Sequence, residues 1–469
     1  MLPVVEIPEI VRHYAPFFAS VFSPDACAQF QRYVSGLSVS ENKTVDGINR
    51  IFGLDGRQQS SLNRLLTESP FSVEAVNQAR LALLASLAGT HLKPQGVLSV
   101  DDTLLTHYGK HFDKIAYRYN SAQGGYVWAH TLVNLHYRDE QTDSPSDFRL
   151  WEPAAGDALA AGRKATGVPL RAGTEALKQA APQKWRQSLL GVWRRQQPKP
   201  AVQQLSQRKL LIAQPLLTQF CALPPDLSLP VTFDNWYTQP AFCRFLHRTL
   251  KVPYVGTFAG AESVLLAAGA HRLEVFAQHR HAEHQDALTH GQPPVFHKIT
   301  ISYKGEKETY DSYCPTQRSQ TFGKQRLVIT HRQADLSESA ICLISHKLNW
   351  QAPGITRIRR HRGPVEVYPE EGKAEGLDQY QVRDFTARSR HIALGAVTYS
   401  LLRAAPHAPA FLHKLPRQIK TKLDGSAGSC QRTTQAQALW ALATCIATAL
   451  AQGQALGEVR QPFIAAVAY

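Results

Sequence analysis

The chain has 469 residues, 43% of them hydrophobic, with 7 Trp, 16 Tyr and 19 Phe. That supply of core material excludes a disordered or fibrous chain, and the length suits two to four domains or one large fold with an insertion. Lys and Arg number 52 against 37 Asp and Glu, a formal charge of +15, which favours a polyanionic partner over an acidic protein or a neutral metabolite.

The seven cysteines form no Cys-x-x-Cys pair, so they read as reduced thiols of a cytosolic protein. The opening MLPVVEIPEIVRHYAPFF carries acids and Pro where a signal peptide is basic and then apolar. The longest uncharged stretch, Thr433–Leu456, holds Gln and Thr and reads as a buried or amphipathic helix, not a membrane span.

Residues 1–92 read as helical, the size of a small DNA-reading domain. Ser23–Asp25 offers a cap before ACAQFQRYVSGL, and ENKTVDGINRIFG and SLNRLLTESPFSVEAVNQARLALLASL read as short helices broken by Gly and Pro. Residues 93–258 read as the first part of an α/β unit. GVLSVDDT, Tyr126–Tyr137 and Asp147–Pro153 are three strands, and residues 154–222 are helical with a basic aromatic run around Lys184, Trp185, Trp193 and Arg194. Leu229–Tyr237 is a fourth strand, FCRFLHRTL a helix and VPYVGTF a fifth strand, which together make a mixed sheet. Residues 259–350 read as a β-rich insertion that leaves this sheet. Residues 351–405 return as helix, and 406–469 form a C-terminal helical region.

Two of the strands end in acid, at Asp101 and Asp234. An Asp after an apolar run sits at the carboxyl edge of an open α/β sheet, where ligands bind, and two such carboxylates can share a hard cation. Either Asp could instead cap the turn that follows it. Asp101 and Asp102 are adjacent, and Asp101 is preferred as the first acid. Near the C-terminus Arg362, Glu366 and Lys373 fall at i, i+4 and i+11, within about 40° of one another on one helix face. A carboxylate flanked by cations suits a metal bound to phosphate. Pro369 could restart the helix, and Glu370 or Glu371 would then stand in for Glu366.

This arrangement resembles the DDE transposases of insertion sequences, in the cut-and-paste group with the signature Tyr-x2-Arg-x3-Glu-x6-Lys. Arg362, Glu366 and Lys373 match its last three positions, and Arg359 stands where the signature has Tyr. KAEGLDQYQVR and RHIALGAVTYSLL resemble the run that follows the signature; VLSVDDT and TFDNWYTQPAF resemble the strands of the two catalytic Asp; YVSGLSVSENKTVDGINRIFG resembles the opening of one subgroup. The similarity spans about residues 30–405.

The resemblance implies an RNase H-like mixed sheet flanked by helices, interrupted by the β-rich insertion and preceded by the helical domain. It implies that Asp101, Asp234 and Glu366 hold two Mg²⁺, with Mn²⁺ able to substitute. Cleavage would occur at the transposon ends, followed by strand transfer into target DNA, with Arg362 and Lys373 on phosphate. The implied partners are double-stranded DNA, as terminal inverted repeats and as target, and a second copy of the chain on that DNA. No membrane is involved, and the expected location is the cytoplasm, with the nucleoid. Further candidate DNA contacts are Arg359, Trp236, Lys184 and Arg194, with Lys43, Arg50, Arg57 and Arg64 on the N-terminal helices. Two other readings share these residues: an RNase H-like nuclease without strand transfer, and a catalytically inactive DNA-binding descendant. A basic ribosome-associated module leaves the acids unexplained. His279, His281 and His284 have the spacing of metal ligands but lie in a segment that reads as a polar loop without a Cys partner, so zinc is not expected.

Overall fold

The computed structural model describes residues 3–467 apart from 53–58, 110, 153–159, 162–163, 165–171, 183, 186–187, 190, 192–208, 223–226, 334–335, 337, 409–411 and 414–424, and the side chains as far as residue 461. Helices open the chain: α1 (Glu9–Tyr14), α2 (Pro24–Val39), α3 (Val45–Ile51), α4 (Gln59–Thr67) and α5 (Val73–Ser86). Their starts follow from local chemistry. The Ser23 and Ser72 hydroxyls accept the Ala26 and Ala75 N–H groups, and Pro24 occupies the first helical position, where no N–H is needed.

The sheet begins with β1 (Val97–His107), β2 (Ala116–Asn120), β3 (Gly125–Arg138) and β4 (Asp143–Leu150). After helix α6 (Lys209–Ala222) come β5 (Val231–Phe233), α7 (Pro240–Arg244) and β6 (Tyr254–Thr257). β3 pairs antiparallel with β1, β2 and β4, while β1, β5 and β6 run parallel, with Val100 level with Phe233 and Phe233 level with Gly256. The spatial order β4-β3-β1-β5-β6, three antiparallel strands continued by two parallel ones, is that of an RNase H-like core.

Two features differ from the reading of the sequence. β1 does not stop at its acids. It runs on to His107, because the long β3 offers partners as far as Trp128, and Thr103–Thr106 are apolar or β-branched. Nor do residues 259–350 leave the sheet. They supply β7 (Ser263–Leu266), β8 (Gly269–Arg272), α8 (Leu273–Thr289), β9 (His297–Tyr303), β10 (Glu306–Tyr313), β11 (Thr316–Ser319), β12 (Gly323–His331) and β13 (Ile341–Ser345). β13 pairs with β6, so the edge that β6 would expose carries the inserted strands and one 13-stranded sheet results. The polar loop expected around His281 is part of α8, which buries Leu273, Phe276, His284 and Ala287 on one side.

The remaining helices are α9 (Ala352–Arg360), α10 (Gly363–Ala374), α11 (Phe385–Ala404), α12 (Ala427–Ala451) and α13 (Leu456–Val467). α11 is buried on every side from His391 to Leu402, with its few polar groups there enclosed as well. It packs between the N-terminal helices and one sheet face, sharing a core with Phe30, Leu37, Leu83, Leu105 and Leu132. The opposite face of β1 and β3 presents Val100 and Val133 to α6, which answers with Ala213, Leu216, Leu217 and Phe220. α12 is neither buried nor amphipathic throughout. Its first turns pack inward, whereas Leu439 and Trp440 are exposed. No helix among the described residues is long and apolar enough to cross a membrane, and all seven cysteines are free thiols.

Candidate active site

Strand alternation separates the two adjacent acids of β1. Asp102 points to the α6 side. There it forms an ion pair with Lys209 Nζ and accepts the Tyr237 hydroxyl at 3.2 Å, and Lys209 lies 5.0 Å from the centre of the Trp236 ring. Burial keeps the Tyr237 phenol protonated far above its ordinary range, so it remains a donor to Asp102. Nothing in the spacing of Lys209, more than a hundred residues downstream of Asp102, signals this pairing.

Asp101 points to the other side, toward the start of α10. Arg362 Nη2 lies 2.5 Å from Asp101 Oδ2, and Arg362 Nη1 pairs with Glu366 Oε1. One buried guanidinium therefore ties together two carboxylates from opposite ends of the catalytic region. Helix α10 makes this possible. It starts at Gly363, with Arg362 as its N-cap residue and Glu366 in the first turn, and it passes through Pro369 without restarting there. Glu371 instead accepts the Tyr399 hydroxyl at 2.7 Å, and Glu370 is exposed.

Asp234 follows β5 directly. Because Val100 and Phe233 are level in adjacent parallel strands, Asp234 comes beside Asp101 where β5 ends, at the carboxyl edge of the parallel part of the sheet. Its Oδ1 accepts the backbone N–H groups of Trp236 and Tyr237 at 3.0 and 3.1 Å, so it does cap the turn. Oδ2 has no protein donor among the described residues. Burial raises the Asp101 carboxyl to about 7; Arg362 opposes this, and the charge of Asp234 adds to it.

Arg359, one turn before Arg362, is a second cation in this field. Burial and the charge of Arg362 lower its pKa, while Glu366, Asp234 and Asp101 pull the other way. Its Nε is buried without an acceptor. Lys373 is not brought to the acids. It lies seven residues beyond Glu366, about 10 Å along the helix, and its charge bears on Asp378. Glu366 opens onto a cleft of about 1020 Å³ lined by Arg138, Lys304, Arg360 and Arg403 and by the acids Glu140, Asp143, Glu306, Glu308 and Glu371.

The outlying candidates are dispersed. Trp236 is exposed beside Lys209, while Trp185 is buried and so is not open for stacking; Lys184 beside it is exposed. Arg57, Trp193 and Arg194 lie outside the described residues. Lys43 is buried, with Nζ donating to the Leu37 carbonyl, so it cannot read DNA; Arg50 pairs with Asp46 at 2.8 Å, and Arg64 is exposed. His284 accepts the Phe296 N–H at 3.2 Å through Nδ1, the role of a core histidine.

Among the described residues, no three His, Cys, Asp or Glu side chains close on one point as metal ligands. The cation between Asp101 and Glu366 is the Arg362 guanidinium. The donor chemistry nonetheless suits a hard divalent ion, because all three groups are carboxylates, which offer oxygen ligands.

Comparison with known proteins adds the family. A profile described as DDE superfamily endonuclease matches residues 16–281, more than half of the chain, and spans Asp101 and Asp234 but not Glu366. No curated protein matches the sequence. With an RNase H-like core, two acids level on adjacent strands and this match, the chain belongs to the DDE superfamily of endonucleases.

Proposed function

We propose that the protein is a DNA transposase that cleaves at transposon ends in the presence of Mg²⁺ and transfers the freed strand into target DNA. The observation that carries this reading is the link from Asp101 through Arg362 to Glu366, with Asp234 on the neighbouring strand. Asp101, Asp234 and Glu366 would hold two Mg²⁺, for which Mn²⁺ could substitute. Bound there, the ions supply activation of a water or 3′-hydroxyl and stabilisation of the leaving oxygen.

The chain's own residues do the positioning. The turn at Asp234 fixes one carboxylate oxygen and leaves the other without a protein donor among the described residues. Arg362 and Arg359 supply guanidinium donors for the oxygens of the scissile phosphate, and Arg359 has a buried donor to spare. A nucleophile attacking in line at phosphorus needs no covalent protein intermediate. By the same resemblance, two copies of the chain would bring two terminal inverted repeats together.

The test is cleavage of duplex DNA bearing the element's ends. Asp234→Ala and removal of divalent metal with EDTA are each expected to abolish cleavage while DNA is still bound. Cleavage retained in Asp234→Ala overturns the assignment. Joining of a labelled 3′ end to target DNA separates a transposase from a nuclease that only hydrolyses, and a wild-type chain that binds DNA without cutting it is the inactive descendant.

A further inference from the structure

The hairpin formed by β2 and the start of β3 carries aromatic rings in the open. Tyr117 lies opposite Trp128, and Tyr119 opposite Tyr126. Directly opposed residues share a sheet face, so all four rings stand together. Tyr117 and Tyr126 stack at 5.4 Å and 22°, Tyr119 meets Tyr126 at 5.3 Å, and Tyr117 meets Trp128 at 5.5 Å. The three tyrosines are 41%, 57% and 55% exposed, and none belongs to a hydrophobic core. Cross-strand pairing accounts for their contacts with one another, but not for leaving so much aromatic surface uncovered.

The same face carries the active-site acid. Asp101 is opposite Asn134 and His107 is opposite Trp128, so Asp101 and the rings share one side of the sheet. Six residues separate Asn134 from Trp128, roughly 20 Å of strand, comparable to the rise of about six base pairs. Arg118, between the two β2 tyrosines, turns to the opposite face and lies 3.8 Å from the centre of the Trp151 ring, and Lys114 pairs with Glu152, so the ring face itself is aromatic and uncharged. The tip adds Asn120, Ser121 and Gln123. Open π faces with hydroxyl edges, on the side of the sheet that carries Asp101, suit stacking of nucleobases.

We propose that Tyr117, Tyr119, Tyr126 and Trp128 form a stacking surface for unpaired bases of the DNA strand that reaches Asp101. This rests on DNA being the substrate, as read above, and assigns the site that holds a strand opened near the point of cleavage. The rings act by their π faces, which are open to any base, so the site is tolerant of sequence.

Binding of the full-length protein to a labelled single-stranded oligodeoxynucleotide and to the matching duplex tests this. Tyr117→Leu and Tyr126→Leu keep apolar area on the strand but remove the π face. Each is expected to weaken single-strand binding about tenfold and duplex binding much less. Tyr117→Phe and Tyr126→Phe should bind as the wild type does. Leu variants that bind the single strand normally overturn the proposal, as do Phe variants that lose as much as the Leu variants. A change of sedimentation in the Leu variants without a loss of strand binding also overturns it, marking the face as a contact between two copies. Wild-type protein that binds neither form of DNA removes the nuclease reading and this site with it. Protein that binds and cleaves DNA while ignoring the Leu changes removes this site alone.

Discussion

Asp101 and Asp102 are chemically the same and one position apart, yet strand alternation gives them different surroundings. Asp102 is neutralised by Lys209 and Tyr237, and Asp101 faces Arg362 and Asp234. Under the proposed function, Asp101→Asn should abolish DNA cleavage. Asp102→Asn should leave cleavage measurable and act mainly on stability, read as a lowered Tm. A second residue-scale consequence concerns Asp143. Burial alone would raise its carboxyl, but His136, Arg403 and Arg138 together hold it at about 2. A carboxylate depressed in the folded state stabilises above its unfolded pKa and loses that contribution as pH falls. Asp143→Asn should therefore destabilise the protein by about 2 kcal/mol near neutrality. The gap from wild type, followed by denaturant midpoints, should narrow as pH falls from about 4 towards 2.

Among the elements, α10 and α11 decide whether the site exists. The spacing of Arg362, Glu366 and Lys373 predicts one helix face, and α10 does run from Gly363 to Ala374 through Pro369. Periodicity places three residues on a face, but it does not bring Lys373, two turns on, back to the acids. α11 holds α10 against the sheet from behind, through Tyr368 and Tyr399 with ring centres 5.0 Å apart. Leu394, wholly buried in α11, should cost about 2–5 kcal/mol on truncation to Ala, measured by denaturant unfolding. The link from α10 to α11 also depends on Gly376. It has a φ of +90°, and a Cβ there would lie 2.5 Å from the Lys43 Cβ. Gly376→Ala should therefore lower Tm both by backbone strain and by displacing Lys43 and the turn between α2 and α3.

Over the whole molecule, the inserted strands lengthen the sheet instead of forming a second one, and the N-terminal helices share a core with α11. The charge of +15 then acts from a single body. DNA binding should weaken steeply with salt: six to ten phosphate contacts predict a fall of about 10³–10⁵ in affinity between about 50 and 200 mM. An affinity that is flat across that range would show that the basic surface is not what holds DNA.

Residue pattern alone determined the α/β class, the capped helices, the strands around Asp101 and Asp234, and the helix that carries Glu366 four residues after Arg362. Those features are local: a cap spans three or four residues, and an alternating or 3.6-residue period is complete within a dozen. Tertiary structure decided which acid of the Asp101–Asp102 pair faces Arg362, that Lys209 answers the other, that Lys43 and Trp185 are buried, and that strands 259–350 continue the sheet. Each of these depends on which surface a distant segment covers. Strand register and the packing of helices on a sheet settle that, and no spacing along the chain encodes it.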